Sequence, residues 1–246
     1  MISAINSGLS GLMVHSAMVS NAAGNLANLN TTGYKSSRVA LGTLPSMTQG
    51  GLAVGQGAQV LGISRDFSSG SLLSTGSDFN LAIQGDGFFR VERQGEDVYT
   101  RDGSFNLDNN RYVVDAQGNR LQPELQLPQD AASVQVSSNG HLTALDAAGN
   151  VVASADIPLY RFASPGGLES LGENDYRPTT ASGPPLQSEA GTGGAGSITQ
   201  GALEASNVDP ATEMVNLMLG QRGFQASIKV LQTAGEMLGS VLDLRA

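Results

Sequence analysis

The chain has 246 residues, 40% of them hydrophobic, 14% charged and 5% aromatic, with 32 glycines and neither cysteine nor tryptophan. Thirteen basic against 22 acidic residues give a formal charge of −9, which argues against nucleic acid or anionic membrane as a partner, since both need a surplus of Lys and Arg. The lack of cysteine excludes disulfides, thiolate zinc sites and thiol nucleophiles. His15 and His141 have no ligand-spaced neighbour, and no apolar run approaches the roughly 18 residues of a membrane span, so neither a cofactor, a metal nor membrane insertion is expected.

Ile2, Ile5, Leu9, Leu12, Ser16, Val19, Ala23 and Leu26 recur at alternating steps of three and four. That spacing predicts a helix over 1–30, fraying at the turn-rich Asn28 to Gly33, with a seam of the kind found in coiled coils. The segment before Lys35 holds no Lys, Arg, Asp or Glu. It is a poor solvated helix, and it lacks the basic start of a secretory signal, so no cleaved signal is expected. A Gly-, Ser- and Thr-rich stretch over 31–79 follows and reads as an extended arm.

From 80 to 162 the period becomes that of short strands. The runs 81–84, 88–93, 98–101, 111–115, 133–137 and 141–146 are separated by Asp86-Gly87, Asp102-Gly103, Asn139-Gly140 and similar pairs, which favour tight hairpins. An antiparallel β domain is expected there, with Phe88, Phe89, Tyr99, Phe105, Tyr112, Tyr160 and Phe162 supplying most of its aromatic core. Residues 163–208 read as a second arm. Its 191–196 segment matches a GxGxxG pattern but lacks the preceding strand and following helix that a dinucleotide site requires. Asp102, Asp108 and Asp115 miss calcium-loop spacing and read as hairpin-turn acids.

Asp209-Pro210 is a good helix start. Met214, Leu217, Gln221, Phe224, Ile228, Leu231, Gly235, Leu238 and Leu242 then repeat the 3-4 spacing of the other end. The expected fold is therefore α+β: long N- and C-terminal helices (1–30 and 209–246) forming a coiled-coil-like layer for assembly, two connecting arms, and a central antiparallel β domain. Apolar residues off the seams imply burial on more than one face, so the helices should pack against other copies of the chain. The residues expected at that assembly interface are Ile5, Leu9, Leu12, Val19, Leu26, Met214, Leu217, Phe224, Ile228, Leu231, Leu238 and Leu242. With no paired carboxylates, no nucleophile elbow and no metal-ligand spacing, catalysis is not expected. A secreted carbohydrate- or peptide-binding β module capped by the helices is the alternative that these patterns leave open.

Several segments carry a resemblance. Asn25-Leu26-Ala27-Asn28-Leu29-Asn30-Thr31-Thr32-Gly33-Tyr34-Lys35, the stretch 81–91 with Gly85, Gly87, Phe88 and Phe89, and 99–105 with Asp102 and Gly103 resemble motifs of the bacterial flagellar basal-body rod and hook protein family. So do 167–174, 201–208 with Ser206 and Asn207, and 213–222 with Gln221 and Arg222. The motifs run through nearly the whole chain in family order. The resemblance implies a non-enzymatic structural subunit of the axial rod, exported without a cleaved signal through the flagellar type III apparatus, which self-assembles helically and transmits torque between motor and hook. The implied partners are copies of itself, other rod and hook subunits, the export apparatus and outer-ring bushing proteins. Length and 167–174 are similar to distal-rod and proximal-rod members, while 63–67 and 70–76 are similar to a short hook-type subunit.

Overall fold

A computed structural model describes residues 2–45, 47–49, 52–55 and 57–243. The chain divides into two compact units: one formed by 1–29, 37–65 and 208–246, the other by 30–36 and 66–207.

The first unit holds helix α1 (Ile2–Ala27) and helix α2 (Pro210–Asp243). Asp209 caps α2 as its sequence predicts: its carboxylate accepts hydrogen bonds from Ala211 N at 3.1 Å and Thr212 Oγ1 at 2.6 Å. These bonds hold its carboxyl below the usual carboxylate range. Between the helices in sequence, Ser37–Thr43 pairs antiparallel with Ala58–Arg65, and Met47–Gln49 pairs with Leu52–Val54.

The coiled-coil-like layer expected from the sequence does not form among the described residues. Among the described residues there is one helix at each end of the chain, and the two lie antiparallel against each other in one unit. Three of the seven described side-chain positions of each predicted seam are exposed: Leu9, Ser16 and Ala23 on α1, and Met214, Gln221 and Gly235 on α2. The faces that meet carry small residues. A Cβ on Gly8 would come 3.0 Å from Leu231 Cδ2, one on Gly11 2.9 Å from Ser227 Oγ, and one on Gly220 2.8 Å from Val19 Cγ2, while one on Gly223 would run into the His15 ring. Regular 3.5-residue spacing makes a coiled coil only when large knobs face the neighbouring helix. Here glycines stand opposite seam residues, Gly8 against Leu231 and Gly220 against Val19, so the backbones approach closely and large knobs do not interlock.

The second unit is entirely antiparallel. Its largest sheet has seven strands in the order Glu169–Gly172, Asp175–Arg177, Glu96–Thr100, Phe89–Arg93, Arg120–Gln122, Val113–Val114 and Asn106–Leu107. A three-stranded sheet follows from Ser133–Val136, His141–Leu145 and Val151–Asp156. Three strand pairs join sequence-distant segments: Leu81–Gln84 with Ser197–Gln200, Leu72–Ser74 with Ala202–Glu204, and Leu159–Arg161 with Leu186–Ser188. The stretches 66–79 and 163–207 thus contribute strands to the same unit as 80–162.

Two apolar clusters fill it. The larger centres on Ile83, Phe89, Val91, Phe105, Leu121, Ile157 and Leu159. The smaller is aromatic: Phe88, Tyr99, Tyr160, Phe162 and Tyr176, with Phe67 against them. Its rings meet edge to face with centroids 5.0 to 6.1 Å apart, the geometry in which the ring edge meets the electron-rich face.

Candidate assembly faces and the motif cluster

In the first unit, the polar tie between segments is Asn25, fully buried near the end of α1. Its amide Nδ2 donates to Ser37 O at 2.8 Å and to Glu213 Oε1 at 3.1 Å, and its Oδ1 accepts from Ser37 N at 2.9 Å. One side chain therefore joins α1, α2 and the first strand of the hairpin. Asn28 donates back to Gly24 O at 2.9 Å, finishing the helix, and Ala27 is exposed.

Of the residues expected at an assembly interface, Ile5, Leu12, Val19, Leu26, Leu217, Phe224, Ile228 and Leu231 are half-buried. Leu9 and Met214 are exposed at 48% and 52%. The side chains of Leu238 and Leu242 lie outside the described ones. The exposed large apolar side chains concentrate in this unit: Met13, Val215, Met218 and Leu219 on the helices, with Leu61 and Ile63 on the hairpin. Isolated exposed leucines are ordinary, but clusters of them mark surfaces that meet other molecules. Gln221 and Arg222 are exposed on α2.

In the second unit, motif residues far apart in sequence converge on one buried carboxylate. Lys35 Nζ lies 2.7 Å from Glu204 Oε1 and donates to Ser68 O at 2.8 Å; both side chains of the pair are fully buried. Gly70 N donates to the same Oε1 at 2.9 Å, and Arg101 Nη1 reaches Oε2 at 3.4 Å. The Arg101 guanidinium also stands 5.1 Å over the Phe88 ring, a favourable cation–π placement. Burial lowers the Lys35 ammonium from its ordinary value, with Arg101 adding to the effect and Glu204 opposing it. Burial likewise lowers Arg101 against the pull of Glu204 and Asp86.

Turn geometry brings Lys35 to this point. Gly33 has φ +66°, and a Cβ there would sit 2.6 Å from Asp102 N, so only glycine fits both the conformation and the approach. Gly33 N donates to the backbone carbonyl of Glu204 at 2.8 Å, and Tyr34 N to Thr31 O at 3.4 Å. Asp102 accepts from Thr32 Oγ1 at 3.0 Å and from Ser104 N at 3.1 Å. Asn207 binds the neighbouring turns, accepting from Ser36 N at 2.7 Å and donating to Asp66 O at 2.9 Å and Ser68 O at 3.1 Å. Ser206 beside it is half-buried.

The remaining motif glycines shape the adjoining strands. Gly85 and Gly87 have φ of +113° and +145°, and a Cβ on Gly103 would strike the Leu81 carbonyl oxygen. Phe88 enters the aromatic cluster and Phe89 the larger one. Arg101 and Glu204 lie inside the motif segments but are not marked as site residues by the sequence. Their signal is opposite charge within segments otherwise read as turns and strand ends.

Asp108 and Asp115 each accept backbone N–H groups two and four residues on, the geometry of turn acids. Among the described residues no group of three or more His, Cys, Asp or Glu is arranged to hold a metal, and no helix is long and apolar enough to cross a membrane.

Comparison with known proteins matches residues 82–144 to the flagellar hook protein FlgE/F/G D1 domain and residues 199–244 to the flagellar basal body rod FlgEFG protein C-terminal domain. The chain is 33% identical over 263 residues to the flagellar basal-body rod protein FlgG of Borreliella burgdorferi, covering 100% of this chain and 99% of that protein. It is 34% identical over 263 residues to FlgG of Bacillus subtilis, covering both chains in full (100% and 100%). With the flagellar basal-body rod protein FlgF of Caulobacter vibrioides it shares 31% identity over 258 residues, 99% of this chain and 98% of that one. Similarity of this extent, end to end, shows that the chain belongs to the flagellar basal-body rod and hook protein family.

Proposed function

We propose that this chain is a structural subunit of the axial rod in the bacterial flagellar basal body. The observation that carries the reading is full-length similarity, at about a third identity, to proteins named as basal-body rod proteins. Its role is mechanical rather than catalytic: the subunit self-assembles with copies of itself and with other rod and hook subunits, and the assembly transmits torque between motor and hook. It reaches that place through the flagellar type III export apparatus, and it meets the outer-ring bushing proteins there. The exposed apolar side chains of the helical unit support this reading. Burying them between subunits gains roughly 25 cal/mol for each Å² removed from water, and the charge-free start of the chain offers no competing solvation.

The test places a charge on that surface without touching the helix pair. Met13 and Leu219 are 63% and 56% exposed, so Met13→Lys and Leu219→Glu should leave the helical circular dichroism unchanged. Both should abolish incorporation into basal bodies and swimming. Normal motility with the double variant built into the rod would refute the assignment.

A further inference from the structure

We propose that Glu204 is a clasp that locks together the points at which the chain enters and leaves the β-rich unit, so that residues 31–36, 66–72 and 201–207 become ordered as one cooperative element. The chain passes between its two units after residues 29, 36, 65 and 207. Next to each passage, within the second unit, stands a group bonded to Glu204 or to its neighbour Asn207. Lys35 and Gly70 bind the Glu204 carboxylate and Gly33 its backbone carbonyl; Ser36, Asp66 and Ser68 bind Asn207.

Charge makes the clasp asymmetric. Two buried cations, Lys35 and Arg101, share the one carboxylate of Glu204, and Arg101 Nε has no hydrogen-bond partner among the described residues. Asp66 near Lys35 and Asp86 near Arg101 add weaker attraction. Removing Lys35 leaves one cation facing one anion. Removing Glu204 takes from both buried cations the carboxylate they share and leaves their mutual repulsion, the costlier of the two cases because a buried charge that loses its hydrogen-bonded partner keeps most of its desolvation cost. The ranking also holds for the backbone: Gly70 N and Lys35 Nζ share Oε1, so replacing the carboxylate by the weaker, neutral amide oxygen of glutamine loosens two segments at once.

The experiment is hydrogen exchange on the full chain, resolved by peptide, for wild type, Glu204→Gln, Lys35→Met and the double variant. Glu204→Gln is expected to speed exchange about a hundredfold in 31–36, 66–72 and 201–207 together, with strands such as Phe89–Arg93 and His141–Leu145 unchanged. Lys35→Met should open the same three segments by about tenfold or less, and adding it to Glu204→Gln should slow exchange again. If Glu204→Gln does not fold, the Lys35→Met result stands alone: faster exchange in 66–72 and 201–207 supports the clasp, and wild-type exchange there overturns it. The proposal also fails if the three segments respond independently, or if Glu204→Gln opens them no more than Lys35→Met does.

Discussion

Replacing glycine by alanine in the middle of an exposed helix stabilises it by about 1 kcal/mol, because the backbone has less freedom to lose. The two terminal helices allow that change to be made in opposite tertiary settings. At Gly24 and Gly235 an added Cβ meets nothing within 4 Å, so Gly24→Ala and Gly235→Ala should each stabilise the helical unit by about 0.5–1 kcal/mol. At Gly223 the Cβ would lie 2.5 Å from His15 Nδ1 and 2.6 Å from Nε2, so the imidazole must move. Forcing extra atoms into a packed contact costs about 1–3 kcal/mol, which outweighs the propensity gain and leaves Gly223→Ala destabilising by up to about 2 kcal/mol. Both helices belong to the same unit, so urea unfolding followed by far-ultraviolet circular dichroism reports on it selectively. His15→Ala supplies the second half of the test: combined with Gly223→Ala it opens the space the new methyl needs, and the double-mutant cycle should show a coupling of about 1 kcal/mol or more. Equal stabilisation by Gly24→Ala and Gly223→Ala, or additive behaviour of His15→Ala, would refute the close approach of the helices.

Two further outcomes follow from single side chains. Burial pushes the Asp175 carboxyl up to about 6, with Asp115 adding to the shift and Arg93, 3.1 Å away, opposing it. The native state therefore holds this proton more tightly than the unfolded chain. The associated stability is complete below the ordinary carboxylate range and is lost as pH rises through about 6. Asp175→Asn should gain about 1–3 kcal/mol relative to wild type between pH 4 and pH 7, read by tyrosine fluorescence during urea unfolding; parallel pH profiles would count against the buried carboxylate. Asn25→Leu strips hydrogen bonds from Ser37 and Glu213 and should cost the helical unit about 2–4 kcal/mol. An unchanged urea midpoint would show that water or another group replaces them.

Much of the local structure is legible in residue order. Asp209-Pro210 marks the start of α2, and Asn139-Gly140 closes the hairpin between Ser133–Val136 and His141–Leu145, since positive φ is a local demand that few residues meet. Asp86-Gly87 and Asp102-Gly103 close no hairpin: the strands flanking each of them pair with other segments instead. Of the aromatic residues expected in the core, Phe88, Phe89, Tyr99, Phe105, Tyr160 and Phe162 are there, Tyr112 is half-buried outside both clusters, and Tyr176 and Phe67 are additions. Both additions come from segments with weak alternation: Tyr176 joins the cluster through the pairing of Asp175–Arg177 with Glu96–Thr100, and Phe67 from the irregular segment after Arg65. The motif segments that resemble the rod and hook family were equally visible. Why they contain Lys35, Arg101 and Glu204 was not, because nothing in their spacing says that residues 35, 101 and 204 share one buried carboxylate.

By itself the sequence determined the periods, the caps, the turns and the charge-free start, because each depends on residues within a few positions of one another. It also carried the family, because ordered motifs survive in a linear string. Tertiary structure alone decided which face of each helix meets the other. A 3-4 repeat fixes that an apolar stripe exists, but glycines at 8, 11, 220 and 223 set how near two backbones can come, and they place a small residue opposite Val19 and Leu231 where a coiled coil would place a large one. The low overall charge that first marked the chain is explained by the same division. At the N-terminal helix it leaves apolar side chains uncovered by solvating groups, while in the β-rich unit buried charges hold distant segments together.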